Sequence, residues 1–252
     1  LAKRERLFMA GNQLGKTWAG AYEAAMHATG RYPEWWRGRR FDKPVIAWAA
    51  GVTSVSTRDT VQRLMLGRPG QHGTGTIPKA CLIDVQSARG TPDLADHIVV
   101  QHVSGGQSYI YLKSYEQGRE KWQGETVDLV WFDEEPPEPI YTEGLTRTNA
   151  TGGMVWMTFT PLKGMSDVVS RFLMEESPDR SVTSMTIDDV GHYSAEDKAR
   201  IIASYPAFER EARAMGIPTM GSGRVFPVEE AWQAYARLQA AGHVGKIVIQ
   251  IA

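Results

Sequence analysis

Arg6-Leu7-Phe8-Met9-Ala10-Gly11-Asn12-Gln13-Leu14-Gly15-Lys16-Thr17 reads as a short strand, a glycine-bounded loop and the threshold of a helix predicted from Trp18 to His27. The loop has Walker A spacing, with Ala10 where the motif's first glycine stands. The chemistry explains the spacing. Successive backbone N–H groups from Gly11, Asn12, Gln13, Leu14 and Gly15, together with the positive end of the helix, surround phosphate oxygens. Lys16 then neutralises the terminal phosphates, and Thr17 is a ligand for Mg²⁺.

Two further strands deliver polar residues from apolar runs. Val127-Asp128-Leu129-Val130-Trp131-Phe132-Asp133-Glu134-Glu135-Pro136 ends in carboxylates, and such a strand tip lies where α/β sheets bind ligands. As a Walker B element, Asp133 holds the metal and Glu134 orients and deprotonates the attacking water. Met154-Val155-Trp156-Met157-Thr158-Phe159 runs into Thr160-Pro161, where the Thr160 hydroxyl is either a γ-phosphate sensor beside the Walker loops or simply a strand end.

The bulk properties bound the rest. With 252 residues the chain can bury one large core, and 42% hydrophobic and 23% charged residues describe an ordinary globular protein. A formal charge of −1 excludes a globally basic nucleic-acid glove, so a DNA contact needs a local patch. Cys81 has no partner for an internal disulfide, which favours a reducing compartment. No apolar run reaches membrane-spanning length and no signal peptide is legible. Leu1, followed almost at once by the phosphate loop, suggests a fragment without its natural beginning.

Trp18, Tyr22, Ala25 and Met26 recur at helical spacing before Gly30, which predicts a helix whose aromatics are core. Arg31 to Arg40 interleaves four arginines with three aromatics around Pro33. It reads equally as a nucleic-acid contact or as a solvated loop anchored by tryptophans. Val45 to Ala50 predicts a strand buried on both faces, with a helix from about Thr57 to Leu66 after it. His97 to His102 and Tyr109 to Leu112 predict a β-hairpin. Ser166 caps a helix, Ser181 to Ile187 is a strand, and Ser194 opens a helix broken at Pro206.

The three strand tips, in this order and with Ser114-Tyr115-Glu116-Gln117-Gly118-Arg119 and Gly221 to Pro227 flanking them, resemble the ATPase domain of a tailed-bacteriophage terminase large subunit, a DNA-packaging motor. The likeness runs from about Arg4 to Val228. It implies an α/β P-loop NTPase fold of the additional-strand type, with a mostly parallel sheet flanked by helices and a β-hairpin insertion. It implies ATP and Mg²⁺ as cofactors, with Lys16 and Thr17 on phosphate and metal, Asp133 on the metal, Glu134 as catalytic base and Thr160 as the coupling residue. It further implies double-stranded DNA, a portal protein and a small terminase subunit as partners, a homo-oligomeric ring, no membrane, and the cytoplasm of the bacterial host.

The chain departs from the family's pattern at three points. Many members carry an arginine where Asn12 stands, so an arginine finger must come from elsewhere or from a neighbouring subunit; Arg119 and Arg89 are candidates. The glutamine motif that contacts adenine lies upstream of where this chain starts. The family's nuclease domain has no counterpart after Val228. These points divide the chain into an N-terminally truncated ATPase domain, 1–220, and a linker with a helix–strand tail, 221–252. The tail, from Glu229 to Leu238 and on through Ala241 to Ile249, is weakly similar to the C-terminus of quinone-oxidoreductase-type reductases but holds none of their catalytic parts. Two rival functions stand beside the motor: a truncated nucleotide-, DNA- or portal-binding module without turnover, and a helicase-like P-loop ATPase.

Overall fold

The strands converge in one eight-stranded sheet in the order β3-β4-β5-β2-β6-β7-β1-β8. In chain order these are β1 (Glu5–Ala10), β2 (Ile46–Gly51), β3 (Leu82–Ser87), β4 (Ala95–Gln101), β5 (Gln107–Ser114), β6 (Leu129–Asp133), β7 (Met154–Phe159) and β8 (Arg180–Met185). This computed structural model describes residues 3–219 and, beyond them, the short strands Val225–Pro227 and Val248–Gln250, which pair in parallel with each other. The helix expected over Glu229 to Leu238 and most of the predicted 221–252 tail lie outside the described residues.

From β5 to β8 every pairing is parallel, whereas β3, β4 and β5 run antiparallel. The decisive feature is β7, which lies between the phosphate-loop strand β1 and the acidic strand β6. That is the additional-strand arrangement. The predicted hairpin is β4–β5, and β3 extends it to three strands. Sequence reading missed β3 because Leu82-Ile83-Asp84-Val85-Gln86-Ser87 alternates weakly and its side chains are half-buried or exposed.

Period-two alternation splits the core into two layers. Ala47, Ala49, Leu129, Trp131, Met154 and Trp156 face α1 (Lys16–Thr29) and the helical stretch after β2. Trp48, Ala50, Val130, Phe132, Val155 and Met157 face α4 (Glu138–Arg147) and α5 (Asp167–Leu173) on the other side. The stretch after β2 comprises α2 (Ser54–Thr57), a π-helical turn (Arg58–Gln62) and α3 (Arg63–Leu66); the reciprocal Thr53–Ser56 capping box starts it earlier than predicted.

Two expectations are corrected or resolved by packing. The buried positions of α1 include Gly20, Ala21, Ala24, Ala25, His27 and Ala28, while Trp18 and Tyr22 stay 48% and 54% exposed instead of joining the core. A β-carbon on Gly20 would stand 2.4 Å from the Trp131 ring, so at this turn the helix lies too close to the sheet for a side chain between them. In the Arg31–Arg40 loop, Trp36 is buried, as in the anchored-loop reading, and two of the four arginines lie over aromatic rings. Arg40 lies over Tyr32 and Arg39 over Phe41, and Trp36 Nε1 donates to Arg39 O at 2.9 Å. Trp35, 69% exposed, stands out from the loop together with Arg31 and Arg37.

Candidate active site

The strand tips of β1, β7 and β6 meet because parallel register aligns them: Met9 pairs with Phe159, and Thr158 pairs with Asp133. Beyond β1 the chain turns through Gly15, at φ +86° the left-handed N-cap of α1. The first α1 amide to bond back into the chain is that of Ala19, to Gly15 O at 2.9 Å. Those of Lys16, Thr17 and Trp18 therefore project from the helix as unpaired donors. Gly11 is required by close approach, since a β-carbon there would lie 2.6 Å from the carbonyl oxygens of Arg213 and Ala214. Ala10 is fully buried, and Gly216 passes so near that its own β-carbon would meet Ala10 Cα at 2.6 Å.

A cleft of about 680 Å³ opens over this loop, lined by Asn12, Gln13, Leu14, Gly15, Lys16, Thr17, Trp18, Glu134, Thr160, Leu162 and Arg213. The predicted loop residues from Asn12 to Thr17, with Glu134 and Thr160, are thus gathered around one space, and Gly11 and Asp133 lie beneath it. Lys16 is buried, with Nζ donating to Gly11 O at 2.5 Å. Burial lowers its pKa, partly offset by the negative charges of Glu134 and Asp133.

Asp133 is held in a relay: Trp131 Nε1 donates to Thr158 Oγ1 at 2.8 Å, and Thr158 Oγ1 donates to Asp133 Oδ1 at 2.9 Å. Burial and then the neighbouring Glu134 push the Asp133 pKa up to about 7, against the opposing pull of Thr158, Thr17 and Lys16. A carboxylate this short of positive charge is a ready partner for a cation. Thr17 and Asp133 make the donor set expected of Mg²⁺, which takes few protein oxygens and keeps waters and phosphate oxygens as its remaining ligands. Among the described residues no group of three or more His, Cys, Asp or Glu gathers as a metal cluster.

Glu134 adopts φ +67°, a left-handed conformation costly for a residue with a side chain. Three hydrogen bonds hold the turn: Glu134 N donates to Thr158 O at 3.0 Å, and the Tyr115 hydroxyl, at 2.9 Å from each, donates across Asp133 O and Glu134 O. Burial raises the Glu134 pKa, while Lys16 and Lys163 oppose it. Thr160 Oγ1 donates to Ala10 O at 2.9 Å, so its proton braces the phosphate loop against β7.

Residues 7–232 match the family described as terminase large subunit, T4likevirus-type, N-terminal. The chain belongs to the terminase large-subunit family. The large terminase of Salmonella phage P22 is 50% identical across 90% of this chain and 49% of its own length. That of Enterobacteria phage LP7 is 54% identical across 42% of this chain and 22% of its own. The chain spans about half the length, or less, of these curated relatives. Among solved structures, the large terminase ATPase domain of Thermus phage P74-26 superposes with a TM-score of 0.64 at 18% identity, covering 87% of this chain and 90% of that one. The large terminase of a thermophilic bacteriophage gives 0.64 at 18% identity, over 86% of this chain and 49% of that one. These likenesses establish the fold as that of terminase ATPase domains.

In this terminase chain neither arginine candidate lines the cleft. Arg119 is exposed and pairs with the buried Glu143 at 3.0 Å, and Arg89 lies on an exposed bend. The arginine that does line it, Arg213, was missed, as were Thr158, Tyr115 and Trp18. Thr158 lies within its predicted strand, and its inward position follows from register with Asp133. Tyr115 lies in the Ser114–Arg119 flank with no role legible there, and Arg213 carried no signal, because both reach the site from distant segments.

Proposed function

We propose that this chain is the ATP-hydrolysing motor domain of a phage large terminase, driving double-stranded DNA into procapsids. The observation that carries the reading is the convergence of a phosphate loop, a buried Asp133 and a strained Glu134 on one cleft, with β7 bracing the loop to the acidic tip. Unpaired amides of the first α1 turn and Lys16 would grip the phosphates. Thr17 and Asp133 would hold Mg²⁺, which supplies charge compensation for phosphate oxygens. Glu134 would align a water for in-line attack on the γ-phosphorus and take its proton; the burial that raises its pKa suits a base. Arg213 brings a further cation to the same cleft.

The large terminase of the thermophilic bacteriophage has also been solved in complex with ADP, in keeping with nucleotide binding here. Portal protein, small terminase subunit and a homo-oligomeric ring are the partners this reading entails, in the bacterial host cytoplasm. No described helix is long and apolar enough to cross a membrane.

Phosphate release in the presence of ATP, Mg²⁺ and duplex DNA tests the reading. Lys16→Ala should abolish release, and Glu134→Gln should bind ATP nearly normally while losing roughly 10² to 10⁴ in turnover. Wild-type release no greater than that of Lys16→Ala would remove the motor reading. Strand unwinding during turnover would point instead to a helicase.

A further inference from the structure

Trp18 lines the nucleotide cleft, and nothing in the phosphate chemistry uses its indole side chain. It is the one aromatic among the described residues that line that cleft, 48% exposed, immediately after the metal-ligand candidate Thr17. Tyr22, one helical turn further on and 54% exposed, lies beside it with ring centroids 5.9 Å apart and planes tilted by 30°. On the same helix the buried positions include Gly20, Ala21, Ala24, Ala25, His27 and Ala28, and neither Trp18 nor Tyr22 is among them. These rings therefore contribute nothing to the core under α1, and the larger of them opens onto the site.

Position along the loop says what it meets there. Glu134, with Lys16, marks the γ-phosphate end of the cleft. The amides of Thr17 and Trp18, the last unpaired donors before Ala19 closes the first helical bond, mark the opposite, α-phosphate end. A nucleotide leaving the loop at that end carries its ribose and base past the Trp18 side chain. An indole offers a base a flat apolar face, and stacking of this kind needs no hydrogen-bond pattern.

We propose that Trp18, backed by Tyr22, is the stacking platform for the nucleotide base, and that it recognises the base as an aromatic plane, so that purine nucleotides bind more tightly than pyrimidine ones. The proposal rests on the nucleotide-binding reading given above. It deepens that reading by assigning the base subsite.

Isothermal titration of the 252-residue chain with ATP, CTP and inorganic tripolyphosphate, each with Mg²⁺, separates the base subsite from the phosphate loop. Trp18→Ala should weaken ATP binding about tenfold to a hundredfold, the range for loss of one base–aromatic stack, and leave tripolyphosphate affinity within about twofold of wild type. Trp18→Phe should recover part of the loss, and wild type should bind ATP more tightly than CTP. Equal ATP affinity in wild type and Trp18→Ala would overturn the platform, as would an equal loss for ATP and tripolyphosphate, which would mark damage to the loop. A wild-type chain that binds tripolyphosphate as tightly as ATP would overturn the platform alone. One that binds neither would overturn the nucleotide-binding reading, and the platform with it.

Discussion

The tips of β1 and β6 meet at one cleft, yet they reach their unusual backbone shapes by opposite routes. After β1, glycine stands where the chain needs freedom: Gly11 lies against two carbonyls, and Gly15 takes φ +86° with open space around it. After β6, the left-handed residue is Glu134, and hydrogen bonds from Tyr115 and to Thr158 impose its conformation. A binding loop can take the residue that fits its backbone. The position proposed for the catalytic base must keep its side chain, so the fold supplies the restraint.

The largest expected effect comes from Asp133, where the acidic tip is held against its own electrostatics. Burial pushes its pKa up to about 7 in the folded chain, above the ordinary aspartate value of 3.8. The stability this group contributes is therefore fully present below pH 3.8 and lost as pH rises through about 7. Asp133→Asn removes the ionisation, so the nucleotide-free variant should melt higher than wild type above about pH 8, with the difference fading towards about pH 4. The shift sets a ceiling of about 4 kcal/mol, and half of that is about 4–8 °C at this chain length. Thermal melts across that pH range check it, and a Tm gain independent of pH would assign the effect to something other than charge. The same variant should bind Mg²⁺·ATP more weakly than wild type.

Gly11 tests the other tip. Gly11→Ala must push away the carbonyls of Arg213 and Ala214, and Arg213 O also accepts from Asn12 N at 2.6 Å. Overpacking against backbone should cost about 1–3 kcal/mol and lower nucleotide affinity in the same variant. Urea denaturation alongside ATP titration reads both. Unchanged stability would mean that the 211–215 segment does not constrain the loop.

The smallest effect, and the one that most sharpens the contrast, belongs to Tyr115. Tyr115→Phe keeps the ring among Trp122 and Phe132 but removes the hydroxyl that holds the Glu134 turn. Loss of about 1–1.5 kcal/mol of restraint should lower turnover roughly tenfold, with ATP affinity preserved. A fall in affinity with turnover unchanged would show that Tyr115 supports the fold and not the position of Glu134.

What the sequence determined by itself was local. Walker A spacing, an apolar strand ending in acids and a strand running into Thr160-Pro161 are contiguous patterns, each set by the chemistry of neighbouring residues. They carried the resemblance that implied an additional-strand α/β fold. Tertiary structure decided what depends on contacts between distant segments. Gly20 set flat against Trp131 turned Trp18 and Tyr22 outward, although helical spacing alone suggested core. Two of the four arginines of residues 31–40, Arg39 and Arg40, were taken up by neighbouring aromatic rings. Arg213 reached the cleft because Gly11 and Gly216 let its segment approach β1, and Tyr115 crossed to the far strand tip to fix Glu134. Each of these depends on how closely two backbones can pass, a quantity that no single stretch of sequence carries.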